Sequence, residues 1–221
     1  MKFKHVVALL TIIILPGLLQ GADGKNIALM LKTRGKVEIK KLRARSWTPA
    51  LRGQRINSGE IVRTGEKAFA ALVFTDDRSL LKVRSNSSVQ IQGKREKNSI
   101  AKTIGLNLGE LWAKVTKQNS SMRIETPSGV ATVKGTELSA LFENDNFIVY
   151  CYEGLVELFN QFGRMLLRAK QMARMTRNTP PEQIQGNPQD IFRLSGGSEG
   201  QKLEIEFEDE QGNKKKLIIE F

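Results

Sequence analysis

Few side chains here could make or break bonds, and where they fall matters as much as how few they are. The single histidine is His5, inside the short positive stretch Met1-Lys-Phe-Lys-His5. Beyond that stretch there is no imidazole, which excludes Ser-His-Asp, Cys-His and histidine-zinc chemistry. The single cysteine, Cys151, excludes an intramolecular disulfide and thiolate zinc sites. In Phe147-Ile-Val-Tyr-Cys-Tyr152 it shares a strand face with Phe147 and Val149, the pattern of a packing thiol rather than a nucleophile. Asp76 and Asp77 are adjacent and would point apart in a strand, but Thr75-Asp-Asp-Arg-Ser79 reads as a turn. Glu204, Glu206 and Glu208 share a face and read as the wet side of a terminal hairpin. No glycine-rich loop ends in Gly-Lys-Ser/Thr, so no phosphate cradle is expected. With the main general base missing, we expect no enzyme, no catalytic residues, no cofactor and no metal. A carboxylate pair assembled from distant segments is the one enzymatic arrangement left open.

Charge points to binding instead. The chain carries +12 overall. Residues 23–196 hold 29 basic and 16 acidic side chains, a net +13, while residues 197–221 hold four lysines and seven acids. Lys41, Arg43 and Arg45 would share one strand face, with Leu42 and Ala44 opposite, and are the candidate contacts to a polyanion or partner. Such a surface is either simply solvated or drawn to polyanions. The polyanions open to an exported protein are acidic wall polymers and lipid or lipopolysaccharide phosphates. Nucleic acid is not expected, because no aromatic stacking cluster accompanies the charge.

Export is read from the first residues. After the positive stretch, Val6 to Leu19 is apolar but for Thr11, Pro16 and Gly17, and Gly21-Ala22 supplies small residues before Asp23. This is the pattern of a secretory signal peptide, residues 1–22, cut near Ala22. The run is short for a membrane span, which needs about 20 residues, yet an uncleaved inner-membrane anchor stays open. No cysteine lies near the cut, so no lipid anchor is expected. The mature chain is expected to be periplasmic or otherwise extracytoplasmic, and soluble.

The elements that must position any site are strands. From about Lys36 to Lys170, short alternating segments recur between turn signals, which predicts an all-β sandwich or roll of short, bulged strands. Phe69 to Phe74 is one apolar run, and two short strands are expected around Gly109 in Ile104–Val115. Glycines at 53, 59 and 65 read as turn residues needing positive φ rather than as a repeat array. The expected main domain is 23–175. Asn178-Thr-Pro-Pro-Glu182, Asn187-Pro and Ser195-Gly-Gly-Ser predict a linker at 176–201. In 202–221, Leu203, Ile205 and Phe207 alternate with glutamates, and Leu217, Ile219 and Phe221 form a second stripe beyond Gln211-Gly-Asn213. That predicts a β-hairpin whose acidic arm faces Lys214-Lys-Lys216. Alone it would be marginal, so its apolar face must cover its own domain or a partner.

The segment Thr126-Pro-Ser-Gly-Val-Ala-Thr-Val-Lys-Gly-Thr-Glu-Leu138 is the most specific. Ala131 and Val133 are odd-numbered apolar positions; Leu138, Ala140 and Phe142 are even, so the inward face changes parity across Lys134-Gly-Thr136. One extra residue at a glycine, a β-bulge, would repair the phase. This segment resembles the central motif of FecR domains, periplasmic all-β domains of bacterial iron-siderophore sensors and other envelope proteins. Gly35-Lys-Val-Glu-Ile39, Gly59-Glu-Ile61 with Thr64-Gly65, Ala71–Leu80, Leu108-Gly-Glu-Leu111 and Glu153-Gly-Leu-Val156 resemble further family pieces in order. Arg78 and Lys170 stand where the family commonly has glycine, and Glu60 where aspartate is commoner. The resemblance covers roughly 35–175 and implies structural motif roles for Thr126, Pro127, Gly135, Thr136, Glu137 and Gly154. It also implies a non-catalytic protein- or envelope-binding module for scaffolding or signalling. Iron-sensor members resemble an anti-sigma segment and a membrane helix followed by this domain. Nothing precedes the signal peptide here, so direct control of a cytoplasmic sigma factor is not expected.

Overall fold

The computed structural model describes residues 26–97, 99–117, 121–191, 202–208 and 214–220, the last two stretches through their backbone pairing. The expected signal peptide, the Gln211-Gly-Asn213 turn and residues 192–201 lie outside the described residues. The first half of the chain supplies β1 (Ala28–Arg34), β2 (Val37–Lys40), β3 (Thr48–Pro49), β4 (Arg55–Ile56), β5 (Glu60–Thr64), β6 (Phe69–Phe74), β7 (Leu80–Val83), β8 (Ser88–Arg95) and β9 (Ile100–Lys114). The second supplies β10 (Met122–Thr126), β11 (Gly129–Val133), β12 (Glu137–Glu143), β13 (Asn146–Glu153), β14 (Leu155–Asn160), β15 (Gly163–Arg168), β16 (Gln171–Thr176) and β17 (Thr179–Ile184). A helical turn α1 (Pro188–Ile191) follows, then β18 (Lys202–Glu208) and β19 (Lys214–Glu220).

Hydrogen bonds join β1 to β17 into one mixed, open sheet that bends at β9 into two leaves. Residues 100–108 of β9 pair with β8, and its parallel partner is β10; residues 109–114 pair with β7 and β12. The first leaf runs β4-β1-β6-β7-β9-β12-β13-β16-β17, and the second runs β3-β2-β5-β8-β9-β10-β11-β14-β15. Inward side chains of both leaves, among them Leu72, Leu81, Ala140 and Val149 facing Ile91, Ile104, Ile124 and Leu158, form one contiguous core. That shared core is what β-rich layers need in order to bury their alternating apolar positions.

The chain crosses between leaves at sharp corners, and the family-motif residues build two of them. Val133 ends β11 in the second leaf and Glu137 opens β12 in the first, so Lys134-Gly-Thr136 is a corner. The change of parity is present, since Ala131, Val133, Leu138, Ala140 and Phe142 are all buried. Its cause differs from the expected bulge within one strand: two leaves facing one core invert the inward side. Gly154, at φ +91°, is the return corner, where an added Cβ would lie 2.7 Å from the Gly135 carbonyl and 2.9 Å from Thr136 Oγ1. Thr136 Oγ1 donates to Leu155 O at 2.9 Å, locking the two corners together. Gly109 is the crossing within β9, so the two short strands expected around it are one kinked strand.

Other expectations shift with the structure. Gly53 and Gly59 have positive φ, whereas Gly65 is not among the positive-φ residues. Arg78 and Lys170, which replace common glycines, keep the left-handed backbone at φ +60° and +65°. The sheet starts before Lys36, with β1, and continues through β17, inside the stretch whose composition reads as linker. β17 holds Pro180 and Pro181, tolerated because it is an edge strand. β18 and β19 pair antiparallel as the predicted hairpin, with Glu206 opposite Lys216 and Glu208 opposite Lys214.

Candidate functional site

Strands β1 and β6 are apolar on both faces. Ala28, Met30, Ala70, Leu72 and Phe74 enter the core, while Leu29, Leu31, Phe69, Ala71, Val73 and, from β7, Leu80 form a second cluster on the outer side of the first leaf. This explains why Ala28-Leu-Met-Leu31 and Phe69-Ala-Ala-Leu-Val-Phe74 read as runs rather than alternations. The runs were the sequence signal for a surface that the alternation argument passed over.

Across the same outer face, strand register sets out one transverse row: Lys32, Ala71, Lys82, Trp112, Ser139, Tyr150 and Met172. Lys82 Nζ lies 4.4 Å from the Trp112 ring centroid, a cation–π contact. Burial, with help from the neighbouring charges of Arg84, Lys114 and Lys32 and against that of Glu137, lowers the Lys82 ammonium pKa to about 8. Tyr150 and Tyr152 meet edge to face at 4.7 Å, and the Tyr152 hydroxyl pairs with Ser139 Oγ at 3.2 Å. Burial raises the Tyr152 phenol above its ordinary value, so it stays protonated. Arg84 extends to within 5.9 Å of the Phe69 ring, and Lys114 pairs with Glu137 at 3.3 Å. Apolar area and aromatic rings beside cations on this outer face are side-chain types met at the centre of protein interfaces.

The other candidates carry less. Lys41, Arg43 and Arg45 are exposed, but they sit on the turn between β2 and β3, where Arg43 has φ +64°, and so share no strand face. Tight reversal at Arg43 breaks the alternation on which that expectation rested. Nearby, Arg63 stacks on Trp47 at 3.9 Å and pairs with Glu38 at 2.9 Å, which holds the Glu38 carboxyl below its ordinary value. A cleft of about 530 Å³ is lined by Thr126, Pro127, Ser128, Asn160 and Arg177 among others. Its polar groups serve the loops: Ser128 Oγ donates to Asp145 O at 2.6 Å, Asn160 Nδ2 to Thr179 O at 2.8 Å, and Arg177 pairs with Asp145 at 2.9 Å.

Sequence reasoning also passed over Lys102. It points inward from β9, 1% exposed, and its ammonium donates to Asp76 Oδ2 and Asp77 Oδ2 at 2.8 Å each. The turn aims both carboxylates at one cation, so this pair is a structural clamp between the leaves. Burial would raise the Asp77 pKa, but the hydrogen bonds from Lys102 and Ser79 outweigh it and hold the carboxyl below its ordinary value. Cys151 is fully buried and its thiol is pushed up to about 11 by burial, which suits the packing role. Among the described residues there is no group of three or more His, Cys, Asp or Glu that could hold a metal, and no helix long and apolar enough to cross a membrane.

Comparison with known families agrees with the fold. The family described as FecR protein matches residues 60–157. This stretch is a FecR domain. The folded unit is larger than the match, because β1 to β4 and β15 to β17 complete the same two leaves around the FecR domain. Two crystal structures of a "putative anti-sigma factor" from Parabacteroides distasonis ATCC 8503, at 1.65 and 2.50 Å, share its fold. Each superposes with a TM-score of 0.50 at 14% identity, covering 59% of this chain and 62% of that one. The chain thus spans less than two thirds of that protein's solved length. No curated protein matches the chain.

Proposed function

We propose that this chain is an exported, non-catalytic FecR-domain protein that binds another envelope protein through the outer face of its first leaf, in a scaffolding or signalling role. The observation that carries the reading is the row Lys82-Trp112-Ser139-Tyr150 beside the apolar cluster of Leu29, Val73 and Leu80. Aromatic anchors with apolar neighbours and a cationic fringe are what protein-binding hot spots use. On the first leaf edge-strand pairing is the weaker route, since β4 is two residues long and β17 holds two prolines; the longer proline-free edge, β15, belongs to the second leaf. The positive N-terminus and the apolar run Val6–Leu19 support export, and the FecR domain supports an extracytoplasmic binding role.

A photo-crosslinking residue placed at Tyr150, compared with one at exposed Leu51, tests this in living cells. We expect one defined envelope protein from position 150 and not from 51. Equal, unselective labelling from both positions refutes the reading. The second reading, attachment to wall or lipopolysaccharide polyanions, rests on the exposed cations of the β2–β3 turn. Binding to anionic polymer should then weaken steeply with salt, and neutralising Lys41, Arg43 and Arg45 together should flatten that dependence. Salt-independent binding removes it.

A further inference from the structure

We propose that the C-terminal hairpin, β18 and β19, is the chain's own cover for the outer face of the first leaf, so that a partner must displace it to bind. The proposal rests on that face being a protein-docking surface. Register places Leu203 opposite Ile219 and Ile205 opposite Leu217 on one side of the ribbon, with Phe207 opposite Lys215 at its end, while Glu204 and Glu206 fall on the other side, opposite Ile218 and Lys216. A two-stranded ribbon with such a stripe is marginal in water and gains stability only by covering it. The outer cluster of the first leaf, Leu29, Leu31, Phe69, Val73 and Leu80, is an apolar cluster on a sheet face outside the main core.

The connection is long enough to bring the hairpin to this face. The chain leaves the body from β17, the edge of that same first leaf. From β17 the order β16, β13, β12, β9, β7 puts the near edge of the cluster, Leu80, five strand spacings away, roughly 24 Å, and β1 at its far edge seven, roughly 34 Å. Residues 192–201 bridge up to about 36 Å between Ile191 and Lys202, enough to reach it. Charge favours the same docking, since residues 197–221 carry seven acids against four lysines and residues 23–196 carry +13.

Trp112 lies on the covered face and reports the cover directly. With Trp47→Phe in the full-length purified protein, Trp112 is the remaining tryptophan of the two in the chain. Adding Ile205→Asp to that protein should red-shift Trp112 emission and at least double its acrylamide quenching constant, whereas Glu206→Gln should leave both unchanged. Unchanged quenching in Ile205→Asp overturns the proposal. So does protection of Trp112 that disappears on dilution, which would identify a second copy as the cover. No partner is present in this assay, so its failure is separate from a failure to capture an envelope protein at position 150.

Discussion

Lys102, Asp76 and Asp77 show how much a few buried charges decide. Their side chains are at most 4% exposed, and the 2.8 Å contacts tie the second leaf to a turn of the first. Breaking a buried pair by removing one partner typically costs about 3–5 kcal/mol, because the remaining charge has no water to turn to. Lys102→Met should therefore lower unfolding stability at pH 7 by about 3 kcal/mol or more, read from the urea midpoint. The pH dependence has a definite sign. Asp77's folded pKa lies below the ordinary 3.8, so its contribution is complete above that value and is lost as pH falls through the folded one. The deficit of Lys102→Met should accordingly be greatest near neutrality and shrink as pH falls through the folded Asp77 value. A deficit that is constant with pH would mean packing, not charge, dominates at this site. Sequence showed the turn at Asp76-Asp77 but not its cation, because Lys102 lies far along the chain and reads as one more polar residue in a strand.

At the scale of elements, the corners are what make two leaves from one chain. Gly109 has φ +87°, and an added Cβ would lie 2.3 Å from Ser87 Oγ and 2.7 Å from Asn86 O. Gly53 has a similar φ of +80° but nothing within 4 Å of such an atom. Gly109→Ala and Gly53→Ala thus share the left-handed strain, about 1–2 kcal/mol, and differ only in the clash. Gly109→Ala should be the clearly more damaging of the two in thermal unfolding, and equal losses would show that the corner at Ser87 yields. The converse holds at Lys170, where a non-glycine side chain occupies φ +65°. Lys170→Gly should raise stability by up to about 1 kcal/mol, the strain released less the added freedom of the unfolded chain. Destabilisation instead would indicate that the lysine side chain makes up for its backbone. The motif positions were legible as family pattern, and the structure supplies the reason at Gly154: Thr136 is packed against it, leaving no room for a side chain.

For the molecule as a whole, β9 passes through both leaves and both contribute to one core, so neither leaf has an interior of its own. Unfolding should then be a single cooperative event. Single-tryptophan variants, with Trp47 reporting beside the second leaf and Trp112 in the first, should share one urea midpoint; two separate midpoints would show independently stable leaves. The sequence by itself determined the all-β class, the terminal hairpin with its paired charges, the packing role of Cys151 and the FecR motif. All of these depend on residue type and spacing along a short stretch, where alternation and turn chemistry act locally. Tertiary structure alone decided that the parity change at Gly135 is a crossing between leaves, that the linker composition conceals β17, and that Lys102 closes on Asp76 and Asp77. It alone also gathered Lys82, Trp112 and Tyr150 into one row on an outer face. Those outcomes depend on which strands become neighbours, and partners brought together across dozens of residues leave no periodic trace in either segment.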